Sequence, residues 1–300
     1  MKVVRQFARL FGAMLLLTTL AHAETLNVRL VLSDTTPPYQ QFSETLNKAL
    51  ASADVNIMVS LAGEKLPPSR SKKIDLVIAA GMKATEFAIT DFDAPLLSVM
   101  TPRYAYEMLS ARRKQAMSAI YLEQSWERQL NFIHAALPKH NVVGMLYSPD
   151  AHIVLPRLPK GMSVNAQSVQ SSDTFFSTLE NILNNSDVLL VIPDSEIYST
   201  NNMRNILLTS YRYKVPLIGI SQAYVNAGAL CAIFSTSEQF AEQAAKIVFL
   251  FVSDRQLPES QYSELYSIAV NQQVARSLGM VMDTPEEIRM RMKKTGEGKQ

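Results

Sequence analysis

Apolar positions along this chain fall into two kinds of run that alternate. Short unbroken runs, "LNVRLVLS" (26–33), "VNIMVSLA" (55–62), "IDLVIAAG" (74–81) and "APLLSVM" (94–100), predict strands buried on both faces. Between them apolar residues recur at helical spacing: Tyr39, Phe42, Leu46 and Leu50 within 38–51, then a helix over 82–90. After "MSAIYLEQ" (117–124) the pattern restarts. Trp126, Leu130, Ile133 and Leu137 share a helical face that Pro138 ends. Strands follow at 140–148, 162–169, 186–192 and 215–220, with helices over 172–184 and 200–213. The shared rhythm predicts an α/β protein of two similar parallel-sheet lobes.

The end of the chain departs from that rhythm. "GALCAIF" (228–234) is a strand leading into a helix whose buried stripe is Phe240, Ala244, Val248 and Phe251. Thr236 with Gln239, or Ser235 with Glu238, fits a capping box at its start. A strand at 265–271 precedes a short helix, 272–279, closed by Gly279. Thr284 and Pro285 then read as a helix start that dissolves into a polar tail, 286–300.

Composition adds a compartment. Lys2, Arg5 and Arg9 precede the apolar "LFGAMLLLTTL" (10–20) and the small-residue "AHA" (21–23), the pattern of a signal peptide over 1–23. No later stretch approaches the roughly 20 apolar residues of a membrane span. The expectation is a secreted, periplasmic chain with no membrane span in its mature form. Removing the three basic residues takes the formal charge from +2 to −1, which leaves no electrostatic footprint for nucleic acid. Cys231 is the sole cysteine, so no internal disulfide supports the fold, and its apolar surroundings suit a buried hydrophobe rather than a nucleophile.

Catalytic constellations are missing. The chain has no glycine-rich phosphate loop, and its histidines lack metal-ligand spacing. "GISQA" (219–223) approximates a nucleophile elbow around Ser221, but no histidine follows His152, as the hydrolase order requires. We therefore expect neither an enzyme nor a cofactor or metal.

In parallel α/β sheets, ligands gather beyond the carboxyl ends of the strands. Those ends are "SDTTPP" (33–38), "AGMKA" (80–84), "MTPRY" (100–104), "YSPD" (147–150), "IPDSEIY" (192–198) and "ISQAY" (220–224). Each hydroxyl there can serve as a helix cap, yet their recurrence points to a ligand cleft. Asp194 is the leading contact for a ligand donor group, with Ser199 or Thr200 free to cap the next helix. Ser195, Gly81, Met82, Ser98, Thr101, Ser148 and Ser221 are expected as acceptors or backbone contacts, and Tyr147, Tyr198 and Tyr224 as stacking walls.

The segment "SDVLLVIPDSEIYSTNNMRNILLTSYRYKVPLIGISQAYVNAGALCAIFSTSEQFAEQAAKI" resembles the substrate-binding proteins of bacterial ABC transporters. The similarity is greatest to the group associated with aromatic amino acids and related small molecules. "YSIAVNQQVARSLGM" and "IDLVIAAGMKATEFA" resemble two further units of that family. "FSTSEQFAEQAA" departs from it in lacking a glycine after the crossing strand, and Ser148 stands where asparagine is common. The resemblance implies the type I periplasmic-binding fold, with lobe one over 24–118 plus 236–256 and lobe two over 119–235 plus 257–285. Crossing strands are expected near 118–123, 230–235 and 262–268. It also implies hinge closure on a small molecule and delivery to an ABC permease or other inner-membrane partner. A sensor of the same fold, reporting to a membrane receptor or kinase, is the alternative.

Overall fold

The computed structural model describes residues 25–64, 73–151, 153 and 158–295. The expected signal segment at 1–23 lies outside them. Two six-stranded sheets organise the chain. The first has the order β11-β5-β4-β3-β1-β2, built from β1 (Leu26–Leu32), β2 (Val55–Leu61), β3 (Leu76–Ala80), β4 (Leu96–Thr101), β5 (Met117–Tyr121) and β11 (Gln261–Tyr262), all parallel. The second has the order β12-β10-β9-β8-β6-β7. Its strands are β6 (Val142–Tyr147), β7 (Ser163–Ser168), β8 (Val188–Leu190), β9 (Leu217–Gly219), β10 (Cys231–Phe234) and β12 (Ser267–Val270). Only β12 runs antiparallel there.

The equivalence of the halves reaches individual side chains. Asp75, just before β3, accepts the Asn27 N–H at 2.9 Å and so ties the start of β1. Asp187, just before β8, accepts the Asn141 and Val142 N–H groups at 2.7 and 2.8 Å and ties the start of β6. Each carboxylate thus fixes the entry of its sheet's first strand with charge-assisted bonds.

Helices cover both faces. In lobe one, α1 (Pro37–Ala49), α2 (Met82–Asp91) and α3 (Arg103–Ser110) follow β1, β3 and β4. Phe42 and Leu46 on α1 meet Phe240, Ala244, Val248 and Phe251 of α8 (Ser237–Asp254) across a core that also holds Leu30 and Ile78. The Thr236–Gln239 pair closes the capping box at the start of α8, at 2.9 and 3.3 Å. Arg113, in the basic cluster after α3, donates to the carbonyls of Ala88, Ile89, Phe92 and Ala94 and so caps α2. Lobe two carries α4 (Trp126–Ala136), α5 (Phe175–Asn184), α6 (Thr200–Arg212), α7 (Gln222–Ala227) and α9 (Gln272–Ser277). Ser199 Oγ caps α6 by accepting from Asn202 N at 3.4 Å.

Three corrections to the sequence reading arise here. Met117–Tyr121 pairs with β4, and Gln261–Tyr262 pairs with β5, so 119–121 and 261–262 belong to the first sheet rather than to lobe two. The crossings accordingly fall at 122–125, 235–236 and 263–266, between the last strand of one lobe and the first element of the other. The polar tail expected over 286–300 is a helix as far as Thr295, α10 (Pro285–Thr295). Its Ile288 and Met292 are fully buried against lobe two, a spacing of four that puts both on one face.

The crossings are knitted together. Gln124 Nε2 donates to Ser235 Oγ at 2.8 Å, and Ser235 Oγ donates to Leu265 O at 2.6 Å. Arg128 Nη1 donates to Gln124 Oε1 and to Ser263 O, both at 2.7 Å. Side chains thus join all three connections to one another.

Candidate ligand-binding cleft

Most strand-end residues are consumed locally. Gly81 ends β3 at φ +91°, and a Cβ there would stand 2.4 Å from the Tyr39 hydroxyl and 2.5 Å from Ser33 Oγ. Ser33 Oγ donates to Ala80 O and accepts the Ala84 N–H, both at 3.0 Å, so the first turn of α2 is met from within the lobe. Gly81→Ala should therefore cost about 2–4 kcal/mol in a denaturant titration, from backbone strain plus overpacking. Ser98 and Thr101 are fully buried and share hydrogen bonds of 2.8–3.0 Å with Thr85. They pin α2 to β4. Met82 is exposed beside them.

The second lobe behaves alike. The Tyr198 ring is buried, and its hydroxyl donates to Leu146 O at 3.1 Å and Leu190 O at 3.3 Å. Burial drives that hydroxyl far above its ordinary range. Tyr224 packs over Gly219, where a Cβ would meet it at 2.5 Å, and Tyr147 is half-buried on the same core. Ser221 precedes α7 without a side-chain cap, and Ser195 is exposed on its turn. Asp194, 6 % exposed, accepts the Ser148 N–H through Oδ2 at 2.7 Å. Its Oδ1 accepts the N–H groups of Glu196 and Ile197 at 3.1 and 3.2 Å. That carboxylate thus joins the ends of β6 and β8.

A cavity of about 470 Å³ lies between the lobes, against the first crossing. Of the residues singled out from sequence, Asp194 lines it. The other walls are Arg103, Tyr104 and Glu107 of α3, residues 123–127 of the first crossing and α4, Gln129, Ala151, Ile153, Ile192, Pro193 and Tyr262. Arg103 and Tyr104 are brought in by a bulge: the β4–β5 register shifts between Val99 and Thr101, and Met100 takes φ +60°. Such a bulge bends the strand end and re-aims the residues beyond it.

Both lobes act on the same groups. Burial first, then the charges of Asp194 and Glu123, raises the Tyr104 hydroxyl, so it stays protonated as a donor facing two carboxylates. Burial pushes the Glu123 carboxyl from 4.5 up to about 7, against its own and the Arg103 backbone N–H and the Arg103 charge. Its oxygens accept the Arg103 N–H at 3.0 and 3.2 Å, capping α3. The folded state therefore holds the Glu123 proton more tightly than the unfolded chain does. This contribution is full below pH 4.5 and is lost as pH rises towards 7. Thermal scans should show Glu123→Gln gaining on the wild type over that window, by a few degrees at its upper end.

The family question is decided by sequence. A family profile described as ABC transporter substrate binding protein matches residues 114–295, well over half the chain. The chain belongs to the ABC transporter substrate-binding protein family. A search of curated proteins finds no significant sequence match. Solved structures share the fold of this family member at low identity. A ligand-free, open substrate-binding protein with adhesive properties from Clostridium difficile superposes with TM-score 0.67 at 16 % identity, over 87 % of this chain and 97 % of that one. An ABC domain from Streptococcus pneumonia, in complex with L-Trp, gives 0.60 at 14 %, over 89 % and 98 %. A conserved domain protein from Vibrio cholerae gives 0.60 at 15 %, over the same shares. The architecture is that of the type I periplasmic binding proteins. Members of this family bind solutes and are generally not enzymes, and among the described residues no helix is long and apolar enough to cross a membrane.

Sequence reasoning assigned Trp126 to a buried stripe and read "MTPRY" only as a strand end. The missed signal was the crossing itself, because "LEQSW" joins two lobes and so must border the space between them.

Proposed function

We propose that this protein is a periplasmic solute receptor. It takes a small molecule, an amino acid or a small aromatic or polar compound, into the interlobe cavity and closes on it about the 122–125, 235–236 and 263–266 hinge. The closed form is then read by an ABC permease. The observation that carries this reading is the cavity itself: its walls come from α3 of one lobe, the β8 turn and α4 of the other, and the hinge between them. A ligand touching both lobes stabilises the closed arrangement by its differential affinity for it. The similar fold solved with L-Trp supports an aromatic solute of this size.

A thermal-shift screen of amino acids, amines, sugars and organic acids tests the reading. At least one compound should raise the melting temperature in a saturable way, and Trp126→Ala should weaken that compound about tenfold or more. Binding that is unaffected by Trp126→Ala and Tyr104→Ala would place the site elsewhere.

A further inference from the structure

We infer, building on the solute-binding reading above, that the cleft selects organic cations: an ammonium or amidinium group carried on a flat apolar body. Four carboxylates line the cavity, Glu107, Glu123, Glu127 and Asp194, against one cationic side chain among the described lining residues, Arg103. That guanidinium is already engaged. Its Nε donates to Glu107 Oε1 at 2.7 Å and its Nη1 to the Tyr262 hydroxyl at 3.1 Å. An anionic ligand would have to compete with Glu107 for it and would face the remaining carboxylates. A cation meets surplus negative charge.

A second observation is independent of charge. Gln129 is 3 % exposed and lines the cavity, and its buried Oε1 has no hydrogen-bond partner. A buried carbonyl oxygen left without a donor is costly; this one is sealed from the cavity as the side chain stands, and a turn of the Gln129 amide would offer it to a ligand N–H. Gln129 stands three residues after Trp126 on α4, so the orphaned acceptor and the indole share one helical face. Tyr104 and Trp126 bring aromatic rings to the wall, which suit stacking on a flat body and attraction of a cation, while the Tyr262 ring already holds the Arg103 guanidinium at 6.0 Å. The two Glu123 oxygens share the single Arg103 N–H and keep further acceptor capacity, whereas Asp194 has most of its own filled by three backbone N–H groups. Glu123 is accordingly the main counter-charge. The groups around it are Arg103, Tyr104 and Glu107 on α3, Glu127 on α4, Asp194 after β8 and Tyr262 on β11.

The test is calorimetric titration of the full protein at about pH 8 with probes that share one ring system: tryptamine as cation, tryptophol as neutral isostere, indole-3-acetate as anion and L-tryptophan as zwitterion. Tryptamine should bind about tenfold or more tightly than tryptophol, indole-3-acetate most weakly, and L-tryptophan no better than tryptamine. Glu123→Gln and Gln129→Met should each cut tryptamine affinity about tenfold while leaving tryptophol within about threefold. Lowering the pH to about 6 should weaken tryptamine, not tryptophol, because the buried Glu123 carboxyl takes up its proton. Equal affinities, a preference for the anion, or L-tryptophan binding more than about tenfold tighter than tryptamine would overturn cation selection. If Trp126→Ala abolishes that binding, the cleft reading stands without it. If a wider panel of cations, neutral solutes and anions gives no binding at all, both readings fall.

Discussion

Asp194→Ala should destabilise the protein by about 3 kcal/mol, measured by urea titration without ligand. The substitution leaves the N–H groups of Ser148, Glu196 and Ile197 without their acceptor. Each such loss costs about 1–3 kcal/mol in a dry site, but this one borders a cavity that admits water, so the total falls well short of the sum. Asp194→Asn keeps one carbonyl oxygen and should lose about half as much. The distinction matters because a ligand contact with no structural role would leave unliganded stability unchanged. Here the carboxylate holds the ends of β6 and β8 together, and any weakening of ligand binding stems partly from the loosened wall.

A larger loss is expected from the C-terminal helix. Ile288→Ala combined with Met292→Ala should cost about 4–7 kcal/mol and unfold lobe two at far lower urea than lobe one. Both side chains are fully buried, in the cluster that also contains Leu130, Ile133 and Ile268. Each truncation removes about 2–5 kcal/mol, and the pair is less than additive because the sites are one turn apart. A polar tail would tolerate both changes. Two separated transitions, followed by tyrosine and tryptophan emission, are the diagnostic result, since Trp126 reports on lobe two.

The central strands were legible because they are buried on both faces and appear as unbroken apolar runs; β2, expected to be buried alike, and β7 lie at sheet edges and are half-exposed. β3 is buried at every position, and "LVIAA" says as much. Short elements were not: β11 has two residues, and α3 begins at Arg103 with no apolar period longer than its eight residues. α10 was hidden because a single face carrying Ile288 and Met292 is outnumbered by Glu286, Glu287, Arg289, Arg291, Lys293 and Lys294. Periodicity, not composition, carried that signal.

The cleft was harder to read. The rule that ligands gather beyond strand ends pointed to Ser33, Gly81, Ser148, Asp194 and Ser221, and the structure uses most of these ends for its own hydrogen bonds. Cavity walls come instead from residues set by the bulge at Met100 and by the first crossing. A left-handed residue within a strand leaves no local pattern in sequence, and the crossing at "LEQSW" becomes a signal only through the repeat of two lobes on either side of it. Two of the strand ends inferred from sequence reach the cavity wall, "MTPRY" through Arg103 and Tyr104 and "IPDSEIY" through Asp194.

Trp126 is the sole tryptophan of the chain and it stands in the cavity wall, so its emission reports directly on occupancy. Titration of the wild-type protein with amino acids, aromatic amines and small neutral solutes, followed by that emission, is the most direct test of solute capture between the lobes. At least one compound should shift the emission in a saturable manner with one site per chain. No shift with any of them, or a binder detected by heat that leaves Trp126 emission unchanged, would contradict capture in this cleft.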